Sequence, residues 1–394
     1  MKLYAQHGYG EGDKIKNGIE QNLISGVIYG ARDISPERLD TRLEQIARNS
    51  KKFNTLFDPQ YYVTLIAANP NIRLGKLEEY PYFKTRRRSQ LESSDLLFAE
   101  IDKILDFQVK LPLTDIISPN ILISQSFDSV EAVISKNFIR EARKAYKKFH
   151  DKRPIYATLA ISREALLEKN ELESFLNDIT LIDSPPDGFY LLIEARSIEA
   201  RSDIFNMDVI AGWMLLNYSL KINGYNVING YSDLLSPFLG AVGGDIGCTG
   251  WWSNLRTFSL DRFIPESGGG RLPIQRYFSF NLLNRITYYE LDALKNMFPD
   301  VLNGLSFDSE YLKGTEPDRV LELFQSWEAL KPILRNLTEN DIEENLNRCT
   351  VALDQATELY ARIKSRYRLD TKSDDSHLEP IKMGIDLFKK LAQI

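Results

Sequence analysis

Three groups of residues in this 394-residue chain could do chemistry. The first is a set of carboxylates at the ends of short apolar runs. Asp58 closes Phe53–Asp58 and is followed by Pro59-Gln60-Tyr61-Tyr62 rather than by a plain helix start, Glu194 closes Gly188–Glu194, and Asp233 follows Tyr225–Asn229. Paired carboxylates suit general acid–base work or stabilisation of a developing cation, as in cleavage of a glycosidic bond. The second group is Gly243-Gly244-Asp245-Ile246-Gly247-Cys248-Thr249-Gly250-Trp251-Trp252. Its glycines let backbone approach a ligand closely, and two adjacent indoles offer flat surfaces for a base or a sugar. Asn254 and Arg256 just beyond could hydrogen-bond that ligand, and Gln6, His7, Arg32 and Gln60, at the ends of other apolar runs, complete the candidate pocket. The third group is basic. Lys84, Arg86, Arg87 and Arg88 adjoin Tyr80, Tyr82 and Phe83, while Arg140, Lys144, Lys147 and Lys148 recur at i, i+4, i+7 and i+8 on one helical face. Phosphate neutralisation and base stacking require those two chemistries together.

Each feature has a plainer reading. Glu194 could simply pair with Arg196 or Arg201, and a lone histidine such as His7 is commonly a hydrogen-bonded wall residue. One tryptophan of the tandem is expected in the core. Charge runs are usually solvated surface.

The elements that must position these residues alternate. Lys2–Gly8, Gly26–Arg32, Phe53–Asp58, Asn120–Gln125, Pro154–Ile161, Gly188–Glu194, Tyr225–Asn229 and Gly244–Thr249 read as eight strands, most of them joined by amphipathic helical runs. Such alternation implies parallel strands with crossovers, and eight units in about 260 residues suit a (β/α)8 TIM barrel over residues 1–265. A doubly wound sheet is the alternative, but neither of the glycine-rich nucleotide-binding motifs expected of its cofactor-binding versions occurs. The third connection is abnormally long, an insertion at about residues 62–115 that should emerge at the face where barrel active sites lie. Composition changes near Ser267-Gly268-Gly269-Gly270, and residues 266–394 read as a C-terminal helical domain. There Ile342, Leu346, Cys349, Leu353, Ala356, Tyr360, Ile363 and Tyr367 form a heptad stripe, either a helix packed on its own chain or a dimer-forming coiled coil.

Composition narrows the classes. With 43% hydrophobic and 11% aromatic residues the chain can bury a large core, so disordered and fibrous classes are out. Two cysteines and three scattered histidines cannot make a disulfide framework or a Cys/His zinc site, so no metal and no cofactor is expected. No secretory leader or bilayer-length apolar run is evident, which makes a cytoplasmic location the expectation. Oligomeric state stays open. The net charge of −6 argues against bulk electrostatic binding to nucleic acid but not against a local basic stripe.

The segment Thr55-Leu56-Phe57-Asp58-Pro59-Gln60-Tyr61-Tyr62 resembles the strand-end aspartate motif of the tRNA-guanine transglycosylases. Gly240–Arg256 is similar to that family's Gly-x-Asp strand followed by an arginine, and Ile121–Gln125 to its strand ending in Gln. The resemblance covers residues 1–265 and implies a (β/α)8 barrel that cleaves the N-glycosidic bond of a nucleobase in a polynucleotide. Some such relatives act on DNA in phage-defence or DNA-modification loci. The family's zinc ligands are absent, and Gly247-Cys248 stands where its covalent aspartate belongs, so hydrolysis fits better than base exchange. The expectation is a DNA glycosylase-like enzyme with nucleic acid, DNA before RNA, as partner and no membrane. Asp58 would position water or stabilise an oxocarbenium ion, with Glu194 and Asp233 as further catalytic candidates. A base-exchanging transglycosylase, a small-molecule barrel hydrolase and a non-catalytic binding module are the alternatives.

Overall fold

A computed structural model describes residues 1–50, 52–197, 201–265, 273–339 and 341–394. The main sheet contains β1 (Lys2–Gln6), β2 (Gly26–Gly30), β3 (Asn54–Asp58), β4 (Ile116–Ser118), β5 (Leu122–Ile123), β6 (Ile155–Ser162), β7 (Gly188–Glu194), β8 (Asn226–Asn229) and β9 (Ile246–Thr249). All pairs in it are parallel, in the order β3-β2-β1-β9-β8-β7-β6-β4, with β5 also on β6. This is the (β/α)8 barrel, with its fourth strand in two pieces. Pro119 has no N–H for a ladder, and the Asn120 side chain takes over, donating to the Thr158 carbonyl at 2.8 Å and to Ser135 Oγ at 2.9 Å.

No ladder joins β3 to β4; threonines close the ring instead. Thr114 N–H donates to the Thr55 carbonyl at 3.0 Å, and Thr114 Oγ1 accepts the Thr55 N–H at 2.8 Å. Because β3 carries Asp58 at its far end, this seam sets where that carboxylate stands.

The long third connection divides in two. Residues 61–93 form an insertion with short 3-10 turns at Tyr61–Val63 and Gly75–Glu79, whereas Ser94–Val109 is the ordinary crossover helix of the third unit. It buries Leu97, Ile101, Ile104 and Leu105, a helical stripe that a loop reading passes over. The insertion expected at 62–115 is therefore much shorter.

Beyond the barrel, the chain is not wholly helical. The Ser267–Gly270 boundary lies outside the described residues. An antiparallel hairpin, β10 (Arg276–Ser279) with β11 (Asn284–Thr287), comes first. Four-residue strands are too short for their period of two to register in the sequence. Helices Arg319–Thr338, Ile342–Lys364 and Leu378–Ala392 follow. The heptad stripe packs on its own chain, with Leu346, Cys349, Leu353, Ala356, Tyr360 and Ile363 buried, while Tyr367 lies past the helix end. Trp327 packs so tightly on Gly18 that a Cβ there would come within 2.7 Å of its ring. None of the described helices is long and apolar enough to cross a membrane.

Thr114→Val keeps the shape of the seam but removes its hydroxyl from the Thr55 amide. Urea unfolding should show a loss of about 1–3 kcal/mol, because a buried N–H is left without its partner. An unchanged midpoint would mean that the backbone bond alone closes the barrel.

Candidate functional site

At the C-terminal mouth of the barrel Gln6, at the end of β1, and Tyr190, within β7, converge on Asp58, which closes β3 and is fully buried. Its Oδ1 accepts the Gln60 N–H at 2.9 Å and its Oδ2 the Tyr62 hydroxyl at 3.0 Å. The Tyr190 hydroxyl lies 3.4 Å from that second oxygen and 3.5 Å from Gln6 Oε1. Burial raises the Asp58 pKa to about 6, against the opposing pull of the Gln60 amide, the Tyr62 hydroxyl and the Arg262 charge. Gln60 adopts a left-handed backbone (φ 52°), which turns its side-chain oxygen onto the Arg32 N–H at 2.7 Å. Gly30 makes room for it, since a Cβ there would meet Gln60 Nε2 at 2.9 Å. Gln6 and Gln60 are buried, and their Nε2 donors have no partner among the described residues.

A cover seals this chamber. The chain after β9 returns across the mouth, where Phe258 stands edge-on to Tyr62 at 5.1 Å between ring centres and its carbonyl accepts the Ala195 N–H at 2.9 Å. Arg262, almost wholly buried, donates to Asp33 at 2.7 Å and to the Tyr231 hydroxyl. Burial opposes its charge, but Tyr231, Asp33, Tyr62 and Asp58 outweigh that and hold it protonated. Arg32 completes the group, 2.9 Å from the other Asp33 oxygen.

Glu194 is half-buried at the end of β7, two pleats beyond Tyr190 and on the same face of the strand. Burial raises its pKa to about 7 despite the Leu260 N–H it accepts from the cover, and Glu164 and Asp261 raise it further. The ion pair with Arg196 does not form, because Arg196 turns to Asp203 at 2.6 Å. Asp233 behaves oppositely. Burial would raise its pKa, but the charges of Arg285 and Arg256 and the Thr249 hydroxyl outweigh it and hold the carboxyl below its usual range. Arg285 grips it with two bonds of 2.6 and 2.8 Å. As a catalytic acid it is therefore ill placed: it is the counter-ion of an arginine supplied by the C-terminal hairpin.

A cavity of about 540 Å³ opens beside the chamber, between the ends of β8 and β9 and the C-terminal region. Tyr231, Asp233, Trp251, Trp252 and Arg256 line it from the barrel side, so five expected or neighbouring groups do share one wall. Asp58, Glu194, Gln6, His7, Arg32, Gln60 and Asn254 are not in that wall. Both indole N–H groups donate to the Tyr9 carbonyl, at 2.7 Å from Trp251 and 3.0 Å from Trp252. Trp251 is the core member of the pair and Trp252 is half-buried. His7 is a wall residue. It lies against the Tyr29 ring at 4.8 Å and edge-on to Trp251, with Nε2 3.4 Å from Glu11.

The basic stripe is largely self-neutralised. Arg86 pairs with the fully buried Glu100 at 2.7 Å, Arg88 with Glu131 at 3.0 Å, Lys144 with Glu141 at 2.8 Å and Lys148 with Asp102 at 2.6 Å. Lys147 reaches Ser184 at 3.2 Å. Lys84, Arg87 and Arg140 are exposed and have no carboxylate partner among the described residues. The neighbouring aromatics are not available to stack on bases. Tyr80 and Tyr82 are buried against Phe57 and Phe107, and their hydroxyls hold the Ile34 and Pro59 carbonyls.

Sequence reasoning missed Tyr62, Tyr190, Arg262 and Arg285. Tyr62 stood inside the motif already singled out, and Tyr190 shares the period-two face of Glu194. Arg262 and Arg285 carry no local signal, since their partners are 229 and 52 residues away in the chain.

No family model matches the chain, and no curated protein matches it. Among solved structures, a dihydrodipicolinate synthetase-like protein from Pseudomonas aeruginosa is similar over 98% of this chain and 99% of its own, at 10% identity and a TM-score of 0.35. Dihydrodipicolinate synthase from Oceanobacillus iheyensis is similar over 96% and 99%, at 11% identity and a TM-score of 0.25. Superposition this loose says nothing about activity.

Asp58 holds its proton to higher pH folded than unfolded. Its contribution is thus fully present below the unfolded value near 4 and is lost as pH rises through about 6. Asp58→Asn should therefore be about 2–3 kcal/mol more stable than the wild type in urea at pH 8, with the gain gone at pH 4. Equal stabilities at pH 8 would place the carboxyl in water. Separately, Arg86→Ala should cost about 1–3 kcal/mol, because the buried Glu100 loses its shortest partner but keeps the Tyr61 hydroxyl at 3.0 Å and Lys103 at 3.3 Å, whereas Arg87→Ala should leave the urea midpoint unchanged.

Proposed function

We propose that the chain is an enzyme whose chemistry is proton transfer at the C-terminal mouth, and that the bond it cleaves is the N-glycosidic bond of a nucleotide-sized small molecule. The observation that carries this reading is the Asp58 carboxyl: fully buried, on the barrel axis side of β3, held by an amide and hydroxyls, with a pKa of about 6. Near neutral pH it is mostly ionised, and Glu194, at about 7, keeps a substantial protonated fraction. Two carboxyls set apart in this way divide the work. Glu194 gives its proton to the departing base nitrogen as the C–N bond breaks. Asp58 stabilises the oxocarbenium ion and takes a proton from the water whose oxygen bonds to the anomeric carbon. Proton exchange with solvent then resets both groups.

Substrate reaches Asp58 only with the 256–263 segment lifted, and the adjoining cavity, at about 540 Å³, is within the range of small-ligand sites. Self-paired cations and buried tyrosines favour a small molecule over a polynucleotide. Base removal from DNA, as the transglycosylase resemblance implies, is the second reading; exposed Lys84, Arg87 and Arg140 favour it.

Free base released from nucleosides, nucleoside monophosphates and oligonucleotides, measured by chromatography, tests both. Turnover should follow a bell-shaped pH profile with limbs near 6 and 7, and Asp58→Asn should lower kcat about a hundred- to ten-thousandfold with KM little changed. Undiminished turnover in that variant removes Asp58 from the reaction, and release from oligonucleotides alone moves the substrate to nucleic acid.

A further inference from the structure

The cavity beside the chamber has an unusual electrostatic composition. Its charged lining is Arg256, Arg276, Arg285, Arg319 and Lys372 against Asp233 and Glu322. Asp233 is consumed by Arg285, and Glu322 lies 3.4 Å from Arg256. Burial and the neighbouring Arg285 charge depress the Arg256 pKa, the mark of like charges brought together away from water. Arg319 has no carboxylate partner among the described residues. It spends one N–H on the Pro273 carbonyl and stands 5.9 Å above the Trp252 ring. Arg276 reaches the half-exposed Asp370 at 3.1 Å and also donates to the Ser373 hydroxyl and the Arg285 carbonyl, each at 3.1 Å. Arg319, without a carboxylate partner among the described residues, thus sits in the lining directly beside the tandem indoles. A guanidinium cluster of this kind matches the geometry of a phosphate, and an indole face beside it matches a planar ring.

We infer that the Arg319, Arg276 and Arg256 side of this cavity, built jointly by the barrel and the C-terminal hairpin and helix, binds the phosphate of an aromatic organic phosphate of mononucleotide size whose ring rests on Trp252. The inference deepens the proposed function and rests on it for the identity of the ligand, but the anion site is testable by itself. The site divides its labour by element. The loop after β9 supplies the ring-binding surface, and the C-terminal region supplies the charge. The barrel alone would hold only Arg256 there, so the C-terminal region is part of the binding site rather than an appendage.

The experiment is a titration of the full-length protein with inorganic phosphate, adenosine, AMP and a single-stranded oligonucleotide, read by calorimetry and by quenching of tryptophan fluorescence. AMP should bind at least tenfold more tightly than adenosine, phosphate should compete with it, and Arg319→Ala should abolish that preference while leaving adenosine binding unchanged. Trp252→Ala should weaken AMP and adenosine alike. Asp58→Asn should bind AMP as the wild type does, and wild-type protein that binds AMP without ever releasing the base condemns the glycosidic reading and spares the anion site. Equal affinity for AMP and adenosine, or an AMP affinity indifferent to both Arg319→Ala and Arg276→Ala, overturns the anion site even where base release is observed. An oligonucleotide that binds more tightly than AMP, with a steep salt dependence, overturns the assignment to a free mononucleotide.

Discussion

A carboxyl taken out of water inside a barrel must be given either a cation or hydrogen bonds, and this protein gives Asp58 mostly the latter. Gln60 N–H and the Tyr62 hydroxyl satisfy its two oxygens, while the guanidinium whose charge acts on it, Arg262, donates instead to Asp33 and Tyr231. A direct ion pair would have locked Asp58 in its ionised form, as Arg285 locks Asp233. Withholding that pair leaves a group able to change protonation state near neutrality. The contrast between two aspartates at the same end of one barrel is a difference of partners, since both are buried.

The same constraint explains the cover. Residues 256–263 bring Phe258 onto Tyr62 and Tyr231, exclude water from above and so raise the Asp58 pKa. Their attachment is polar, through Arg262 to Asp33 and Tyr231 and through Leu260 to Glu194. Polar latches over an apolar seal are separable by a ligand that offers comparable bonds, which a purely hydrophobic plug would not be. Left-handed backbone at Gln60, Tyr231 and Asp233 concentrates strain at this mouth and nowhere in the strands below it.

The C-terminal region acts on the site by charge. Arg285 on the hairpin neutralises Asp233, and Arg319 and Arg276 make the adjoining cavity cationic although the whole chain is acidic. The insertion after β3 does the reverse: its Arg86 and Arg88 are matched to Glu100 and Glu131, and its Tyr80 and Tyr82 are turned into the core. A contiguous cationic run and a set of arginines scattered along the chain therefore serve different ends, and it is the scattered set that lines an open cavity.

The amino-acid sequence alone determined the barrel, because eight β-rich runs separated by amphipathic helices admit few other packings. It also determined that Asp58 would stand at the C-terminal mouth, since a strand end is a local property. The run Gly188–Glu194 was equally legible as a strand, but the inward face that Tyr190 and Glu194 share was not, because the run is apolar on both faces. Only the tertiary structure decided which carboxylates kept their protons. That outcome depends on Arg285 reaching Asp233 across 52 residues, and on the segment that Arg262 anchors to Asp33 across 229 residues closing over Asp58. Ion pairs are set by distance in space, and no periodicity in the chain records which distant cation arrives.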